Sequence, residues 1–155
     1  MLRVTKLTDY ASLVLTLLAA DPQRVHSASE LAERAHLEAP TVSKLLKSLA
    51  QAGLVEAFRG ANGGYRLARP AAAISLFAVV EAIEGPLGMT ECSLHDGDCQ
   101  IQDHCGVRAN WRRVNEVVAE ALRGVSLAQM LAPPTNARPR RQAAHKSIPL
   151  QVTTA

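Results

Sequence analysis

Residues 27–68 read SASELAERAHLEAPTVSKLLKSLAQAGLVEAFRGANGGYRLA. This stretch begins with the pattern of a capping box, in which Ser27 accepts a hydrogen bond from a backbone N–H of the helix and Glu30 reaches back to its start. A short helix is therefore predicted to run to about His36. Pro40 then suits the first turn of a second helix, because an N–H at that position has no intrahelical partner.

The second helix of this stretch is predicted to have two different faces. A buried stripe is indicated by the helical spacing of Val42, Leu45, Leu46 and Leu49. The other face is polar and basic, and its candidate DNA contacts are Thr41, Ser43, Lys44, Lys47 and Ser48. Taken alone, such a face is equally consistent with an ordinary solvated helix.

The end of the stretch predicts a β-hairpin. Two short segments, 54–59 and 65–68, flank the sequence Gly-Ala-Asn-Gly-Gly, whose residues tolerate positive φ. A nucleotide-phosphate loop is the alternative, but no Lys-Ser or Lys-Thr at a helix start follows Gly64. We therefore predict groove or phosphate contacts from the turn, made by Arg59, Gly60, Asn62 and Gly63.

A helix, a turn, a polar-faced helix and a basic-tipped hairpin in this order indicate a winged helix-turn-helix, whose second helix enters the DNA major groove. The predicted fold class is mainly α with a small β-hairpin (α+β). A preceding helix, capped by Thr5 or Thr8, is predicted by the apolar period of Leu7, Ala11, Val14, Leu15 and Leu18. Leu13 and Leu17 widen its apolar face, which indicates contact with a second subunit.

Charge divides the 155 residues into three segments. Residues 1–70, the predicted DNA-binding domain, carry nine Lys/Arg against six Asp/Glu and could face phosphate. Residues 71–132 carry four against eight. Residues 133–155 carry four Lys/Arg, no acid and little to bury, and are predicted to be a disordered basic tail. No apolar run reaches the length that crosses a bilayer, so no membrane association is expected.

The middle segment is predicted to hold a linker helix, a cysteine loop and a long helix. Ser75 can cap the first helix, which Gly85 and Pro86 end, and the loop occupies residues 88–106. The long helix has an apolar seam at Val107, Trp111, Val114, Val118, Ala121 and Val125. Such a seam can pack on its own domain, but we predict a dimerisation helix, because the first domain already has a core.

All three cysteines, Cys92, Cys99 and Cys105, lie in a loop rich in acids, amides and glycine. Buried structural cysteines normally occur in apolar runs, and an odd count leaves one thiol outside any disulfide. No secretory signal is recognised, so a reducing cytoplasm is expected. Structural zinc usually uses CxxC-type pairs, which the loop lacks. An iron-sulfur cluster held by thiolates is the remaining candidate.

Two other function classes receive less support from the residues. A metal-free thiol redox switch needs cysteines of low pKa, usually beside a cation, whereas Glu91, Asp96, Asp98 and Asp103 surround these thiols. An enzyme is not expected, because no cysteine-histidine-amide arrangement, phosphate loop or carboxylate pair is recognisable. No small-molecule substrate is expected for the same reason.

The chain resembles the dimeric winged-helix regulators of the IscR, SufR and NsrR type, the Rrf-type family, over residues 1 to about 132. The resemblance rests on LTDYA at 7–11, TVSKLL at 41–46, RGANGGY at 59–65 and three cysteines before a long helix. It implies a homodimer whose long helices pair crosswise. It also implies a 2Fe-2S or 4Fe-4S cluster whose status changes DNA affinity.

The resemblance implies Cys92, Cys99 and Cys105 as cluster ligands. One branch takes its fourth ligand from a histidine three residues after the last cysteine, where this chain has Arg108 instead. Another branch uses a carboxylate of the opposite subunit, and Asp9 stands at the matching place. An acid there also suits a helix N-terminus, and His95 and His104 are rival ligands.

The closest branch by resemblance regulates the sulfur-mobilisation (suf-type) genes of iron-sulfur cluster assembly. It implies that the cluster-bearing dimer represses these genes at a palindromic operator and releases it when the cluster is lost. Binding by the cluster-free form is also known in the family. Sensing of nitric oxide or of redox state by a repressor of the same family is the alternative.

Overall fold

The computed structural model describes residues 4–60, 62–94 and 104–132. Within them the chain is mainly helical with a two-stranded antiparallel sheet, which confirms the predicted fold class. In chain order the elements are α1 (Lys6–Ala20), α2 (Ala28–Ala35), α3 (Ala39–Gln51), β1 (Val55–Phe58), β2 (Gly64–Leu67), α4 (Leu76–Glu84), α5 (Arg108–Arg123) and α6 (Leu127–Leu131). Short 3₁₀ turns occupy Ala71–Ala73 and Glu91–Ser93.

Side-chain caps begin four of the helices, largely as their sequences predict. The caps of α1, α2, α4 and α6 are Thr5, Ser27, Ser75 and Ser126. A complete capping box forms only at α6 among these, between Ser126 and Gln129. At α2 the Glu30 carboxylate does not reach back to Ser27. It contacts the ring of His26 and the guanidinium of Arg24 instead, because both groups lie within hydrogen-bonding distance of it.

One hydrophobic core joins the helix-turn-helix to the helices that follow the hairpin. Its largest buried side chains on α1 and α3 are Leu15, Leu18, Leu46 and Leu49. Ile74, Val79 and Leu127 belong to the same cluster. Each fully buried aliphatic side chain contributes roughly 1.5–3 kcal/mol, so α4 and α6 are held firmly against α1.

Backbone pairing next to α4 fixes the end of α5. Leu76 N–H donates to Val125 O at 2.8 Å, and Leu127 N–H donates to Ile74 O at 2.8 Å. Gly124 caps α5 just before this pairing. The helix is therefore shorter than the predicted seam, and Val107 and Val125 flank it. No helix in the described part of the chain is both long enough and apolar enough to span a bilayer.

Helix α5 has a buried side and an apolar side that faces outward. Ala119 is buried where the helix packs against α4. Trp111, Val114 and Val117 are 40%, 42% and 59% exposed. Large exposed apolar side chains grouped on one helix are typical of an interaction surface.

Candidate nucleic-acid interface and cysteine site

Helix α3 presents the polar face that its sequence predicts. Val42, Leu45, Leu46 and Leu49 are buried, which turns the opposite side of the helix to solvent. On that side Ser43, Lys44 and Lys47 are exposed, and Thr41 and Ser48 are partly exposed. Neither lysine forms an ion pair with any other described residue. Both charges are therefore available to phosphate.

The hairpin forms a wing whose tip needs glycine. Strands β1 and β2 pair from Val55 opposite Leu67 to Phe58 opposite Gly64. Gly60 has a φ of +107°, and Gly63 N–H donates to Gly60 O at 3.0 Å. A Cβ on Gly63 would lie 2.5 Å from Phe58 O, so no side chain fits at this turn.

The two arginines of the wing have different surroundings. Arg66 pairs with Glu56 at 3.1 Å and lies 5.0 Å from the centroid of the Phe58 ring. Arg59 is exposed and has no ion-pair partner among the described residues. Arg66 thus stabilises the hairpin, while Arg59, at its tip with Gly60 and Asn62, can contact DNA.

His26 anchors the wing to the start of α2, a role that the sequence pattern did not reveal. His26 N–H donates to Tyr65 O at 2.9 Å, and Tyr65 N–H donates to His26 O at 2.8 Å. The neighbouring Gly64 allows this approach, because a Cβ there would lie 2.4 Å from His26 O. The position of the wing relative to α3 therefore depends on this short backbone bridge.

The buried ring of His26 adds a charged cluster to this anchor. Its Nδ1 lies 3.1 Å from a carboxylate oxygen of Glu30, and Arg24 contacts the same oxygen at 2.9 Å. The hydrogen bond from His26 lowers the pKa of Glu30 below its ordinary value, and the charges of Arg24 and Arg34 act in the same direction. Glu30 is thus held in its ionised form beside the helix-turn-helix.

The two described segments that carry predicted cysteine ligands both adjoin α5. Cys92 lies in the 3₁₀ turn Glu91–Ser93, which packs against α5, and Cys105 precedes the first turn of that helix. Asn115 holds the preceding segment, since its Nδ2 donates to Leu87 O at 3.2 Å and its Oδ1 accepts from Met89 N–H at 3.1 Å. The thiol of Cys105 is free and half-buried.

The structure describes only part of the predicted ligand set. Cys99 and His95 lie outside the described residues, and only the backbone of Cys92 is described. Across residues 4–60, 62–94 and 104–132, no three His, Cys, Asp or Glu side chains converge on one point. His104 is exposed next to Cys105. The cysteine ligands therefore stay a prediction.

Asp9 lies on the first turn of α1, exposed at an open groove of about 400 Å³. The groove is lined mainly by residues from α1, α4 and the end of α5, including Ser12, Val80 and Leu122. The carboxylate thus faces away from the core of its own chain. This position is compatible with a ligand donated to a second subunit, which also stays a prediction.

Glu84 at the end of α4 fixes the start of α1, another contact that sequence reasoning missed. Its Oε1 accepts from Thr5 N–H at 3.0 Å and from the Thr8 hydroxyl at 2.5 Å. Both hydrogen bonds lower the pKa of Glu84, and the one from the Thr8 hydroxyl has the larger effect. The turn that carries Asp9 is thereby tied to α4.

A helix-turn-helix with a basic-tipped wing, followed by a cysteine-bearing turn and a long helix, defines the class of winged-helix transcriptional regulators. The sequence profile of Rrf2, described as an iron-dependent transcriptional regulator, matches residues 4–133. The chain belongs to the Rrf2 family, and DNA is its expected binding partner as a member.

Curated relatives agree with this assignment. The chain is 37% identical over 131 residues to Protein aau3 of Rhizobium meliloti (strain 1021), covering 84% of this chain and 85% of that protein. It is 31% identical over 132 residues to the transcriptional regulator NsrR of Geobacillus kaustophilus, covering 84% and 90%. A match of 31% to IscR of Yersinia enterocolitica covers 66% of this chain and 62% of that protein.

Solved structures share the fold. T. potens IscR superposes with a TM-score of 0.61 at 30% identity, covering 84% of this chain and 86% of that one. CymR, the global cysteine regulator of B. subtilis, superposes with a TM-score of 0.63 at 26% identity, covering 84% and 97%. The IscR and NsrR relatives are HTH-type transcriptional regulators.

Proposed function

We propose that the protein is a cytoplasmic, homodimeric repressor that binds an iron-sulfur cluster, 2Fe-2S or 4Fe-4S, through Cys92, Cys99 and Cys105. Its proposed targets are suf-type genes of cluster assembly, read at a palindromic operator. The observation that carries the proposal is the attachment of the cysteine segment to α5. The turn holding Cys92 packs on that helix, and Cys105 leads directly into it.

The described residues at this site suit an anionic, thiolate-bound group. The Cys105 thiol is free and half-buried, which allows it to act as a ligand without being fully solvated. The Nε–H of Arg108, three residues later, is buried and has no hydrogen-bond partner in the described part of the chain. When bound, the group would supply iron whose ligands exchange with oxygen or nitric oxide.

Contacts between helices provide a route from the cysteine segment to the DNA-binding face. Helix α5 packs against α4, and α4 packs against both α1 and α3. A change in how the 3₁₀ turn sits on α5 can therefore alter the position of α3. In the proposed cycle, the dimer binds its operator while the cysteines hold the cluster and releases it when iron is scarce.

The exposed apolar side of α5 supports a homodimer. Trp111, Val114 and Val117 would leave contact with water if two copies packed along this helix. Two α3 helices in such a dimer would meet DNA roughly 34 Å apart or at a multiple of that distance. A palindromic operator follows from this two-fold arrangement.

The proposal is tested with protein purified without air from iron-replete cells. Iron, labile sulfide and the visible spectrum are measured first. DNA affinity of the cluster-bearing and cluster-free forms is then compared by gel-shift titration on a duplex that the protein selects from a random-sequence pool. We expect weaker binding by the cluster-free form. Equal affinities, or protein without iron and sulfide, would contradict the proposal.

The fourth ligand is proposed to be Asp9 of the partner subunit. The carboxylate is exposed at the groove beside α1, and Glu84 fixes its helix turn through Thr5 and Thr8. Asp9→Ala should change the visible and EPR spectra of the reconstituted protein. An unchanged cluster in this variant would remove Asp9 from the site and leave His95 or His104 as the rival ligands.

A metal-free thiol switch is the second candidate, favoured by the free, half-buried thiol of Cys105 and the likeness to CymR. This alternative predicts a colourless protein. Its DNA affinity would change on oxidation and return to the original value on reduction. If the protein is instead a nitric-oxide sensor of the same family, it should be brown and should lose operator binding when nitric oxide is added. Repeating the DNA titration after adding an oxidant and after adding nitric oxide tests these two candidates.

A further inference from the structure

The start of α5 has an unusual charge for a helix N-terminus. Val107 provides no side-chain cap, and the first turn contains no acid. Arginine occurs instead at 108, 112 and 113. Cations near a helix N-terminus oppose the helix dipole and cost stability. An anion beside this end of α5 would therefore stabilise the folded protein.

Arg108 has the feature that points to such an anion. Its side chain is half-buried, and its Nε is buried without a hydrogen-bond partner among the described residues. A buried N–H group without a partner has lost its hydration and has gained no hydrogen bond in return. Its backbone N–H donates to Cys105 O at 3.4 Å, so the two residues share the turn that leads into α5.

We propose that Arg108 is a positioning residue of the cysteine site, whose N–H groups donate to the sulfur atoms around Cys105. This inference rests on the proposed function. Thiolate-bound iron and sulfide carry net negative charge, and hydrogen bonds to the sulfur atoms set the reduction potential and the strength of metal binding. Arg108 would therefore hold the group in place and raise its potential.

The alternative role for Arg108 is an ion pair with an acid of the cysteine loop. That role depends on the positive charge alone, so Arg108→Lys would keep the wild-type potential. Loss of an N–H donor to sulfur has a different effect, because it disfavours the more negative, reduced state. The reduction potential thus separates the two roles.

The test compares three variants with the wild-type protein after anaerobic reconstitution. Arg108→Gln removes the charge, and Arg108→Lys keeps the charge but loses the planar donor group. Arg113→Gln is the matched control, since Arg113 is exposed on the same part of α5. Iron and sulfide content, the midpoint potential followed by EPR, and the rate of iron loss to a chelator are measured for each.

We expect Arg108→Gln to shift the potential to more negative values and to lose iron about tenfold faster or more. Arg108→Lys should lie between it and the wild type, and Arg113→Gln should match the wild type. A wild-type potential in Arg108→Lys would overturn the inference while leaving the proposed function intact. If Arg108→Gln does not fold, Arg108→Lys decides by the same comparison. Wild-type protein that holds no iron or sulfide would overturn both.

Discussion

Arg59 and Arg66 show how one residue type takes two roles within a single hairpin. Arg66 is engaged by Glu56 and the Phe58 ring, whereas Arg59 is exposed at the tip without an ion-pair partner in the described residues. The sequence alone could not separate them, because the partners of Arg66 come from the opposite strand. Only the register of the hairpin, with Glu56 opposite Arg66, makes the distinction.

Arg59→Ala should weaken DNA binding and reduce its salt dependence. Each neutralised phosphate contributes about 0.9 to the slope of log affinity against log salt, so the slope should fall by about one such unit. Affinity near 0.1 M salt should drop up to roughly tenfold. Fluorescence anisotropy at several salt concentrations measures both quantities. Arg113→Ala on α5 removes the same charge and is the control; an equal loss in both variants would contradict a contact by Arg59.

Glu84 should make stability depend on pH. Its pKa in the folded state is lowered from 4.5, mainly by the Thr8 hydroxyl. A lowered folded pKa gives stability that is present above the ordinary carboxyl pKa and lost as pH falls through the folded value. Because the group is largely exposed, we expect an effect of no more than about 1 kcal/mol.

Urea unfolding at pH 6 and at successively lower pH values measures this dependence. Glu84→Gln should lower the free energy of unfolding at pH 6 and flatten its decrease towards acid pH. Glu81→Gln, on the exposed side of the same helix, is the control and should leave the wild-type dependence unchanged. A wild-type pH profile in Glu84→Gln would show that the contact with Thr5 and Thr8 contributes no pH-dependent stability.

At the scale of the elements, the wing depends on the shape of its tip. A Cβ on Gly63 would meet Phe58 O at 2.5 Å, so Gly63→Ala should distort the turn that carries Arg59. We expect several-fold weaker DNA binding with an unchanged far-UV circular dichroism spectrum. Gly124→Ala is the matched control, because its Cβ would meet nothing closer than 3.5 Å. Wild-type affinity in Gly63→Ala would exclude a role for the shape of the tip.

The outward side of α5 should hold the proposed dimer together. Val114→Glu places a charge in the middle of the exposed apolar strip, where burying it against a partner would be costly. Sedimentation equilibrium should then show a shift from dimer to monomer. Ala109→Glu, also exposed on α5, makes a comparable change at another position and should stay dimeric. A stable dimer in Val114→Glu would move the interface elsewhere.

Local signals predicted most of the elements, and contacts between distant residues account for the rest. Ser27, Ser75, Pro40 and the glycine-rich turn act on their own neighbours, so their roles follow from the sequence. The contact of Thr5 with Glu84 spans 79 positions and that of Asn115 with Leu87 spans 28. No local pattern specifies such partners.

The predicted length of α5 shows the same limit. The apolar period continues to Val125, but Gly124 and the backbone pairing of Val125 with Leu76 end the helix at Arg123. The cysteine site is likewise only partly described, since Cys99 lies outside the described residues. Residues 133–155, the predicted basic tail, also lie outside them. The chemistry of the site therefore still rests on the sequence and on family membership.

At the scale of the whole molecule, α4 lies between the cysteine segment on α5 and the DNA-binding helix α3. We propose that a cluster on Cys92, Cys99 and Cys105 determines operator affinity through these contacts. The most direct test measures the affinity of anaerobically purified wild-type protein and of a Cys92→Ser, Cys99→Ser, Cys105→Ser variant for the same selected duplex. We predict iron and labile sulfide only in the wild type, together with clearly tighter binding. Equal affinities of the two proteins, or a wild type without iron and sulfide, would contradict this prediction.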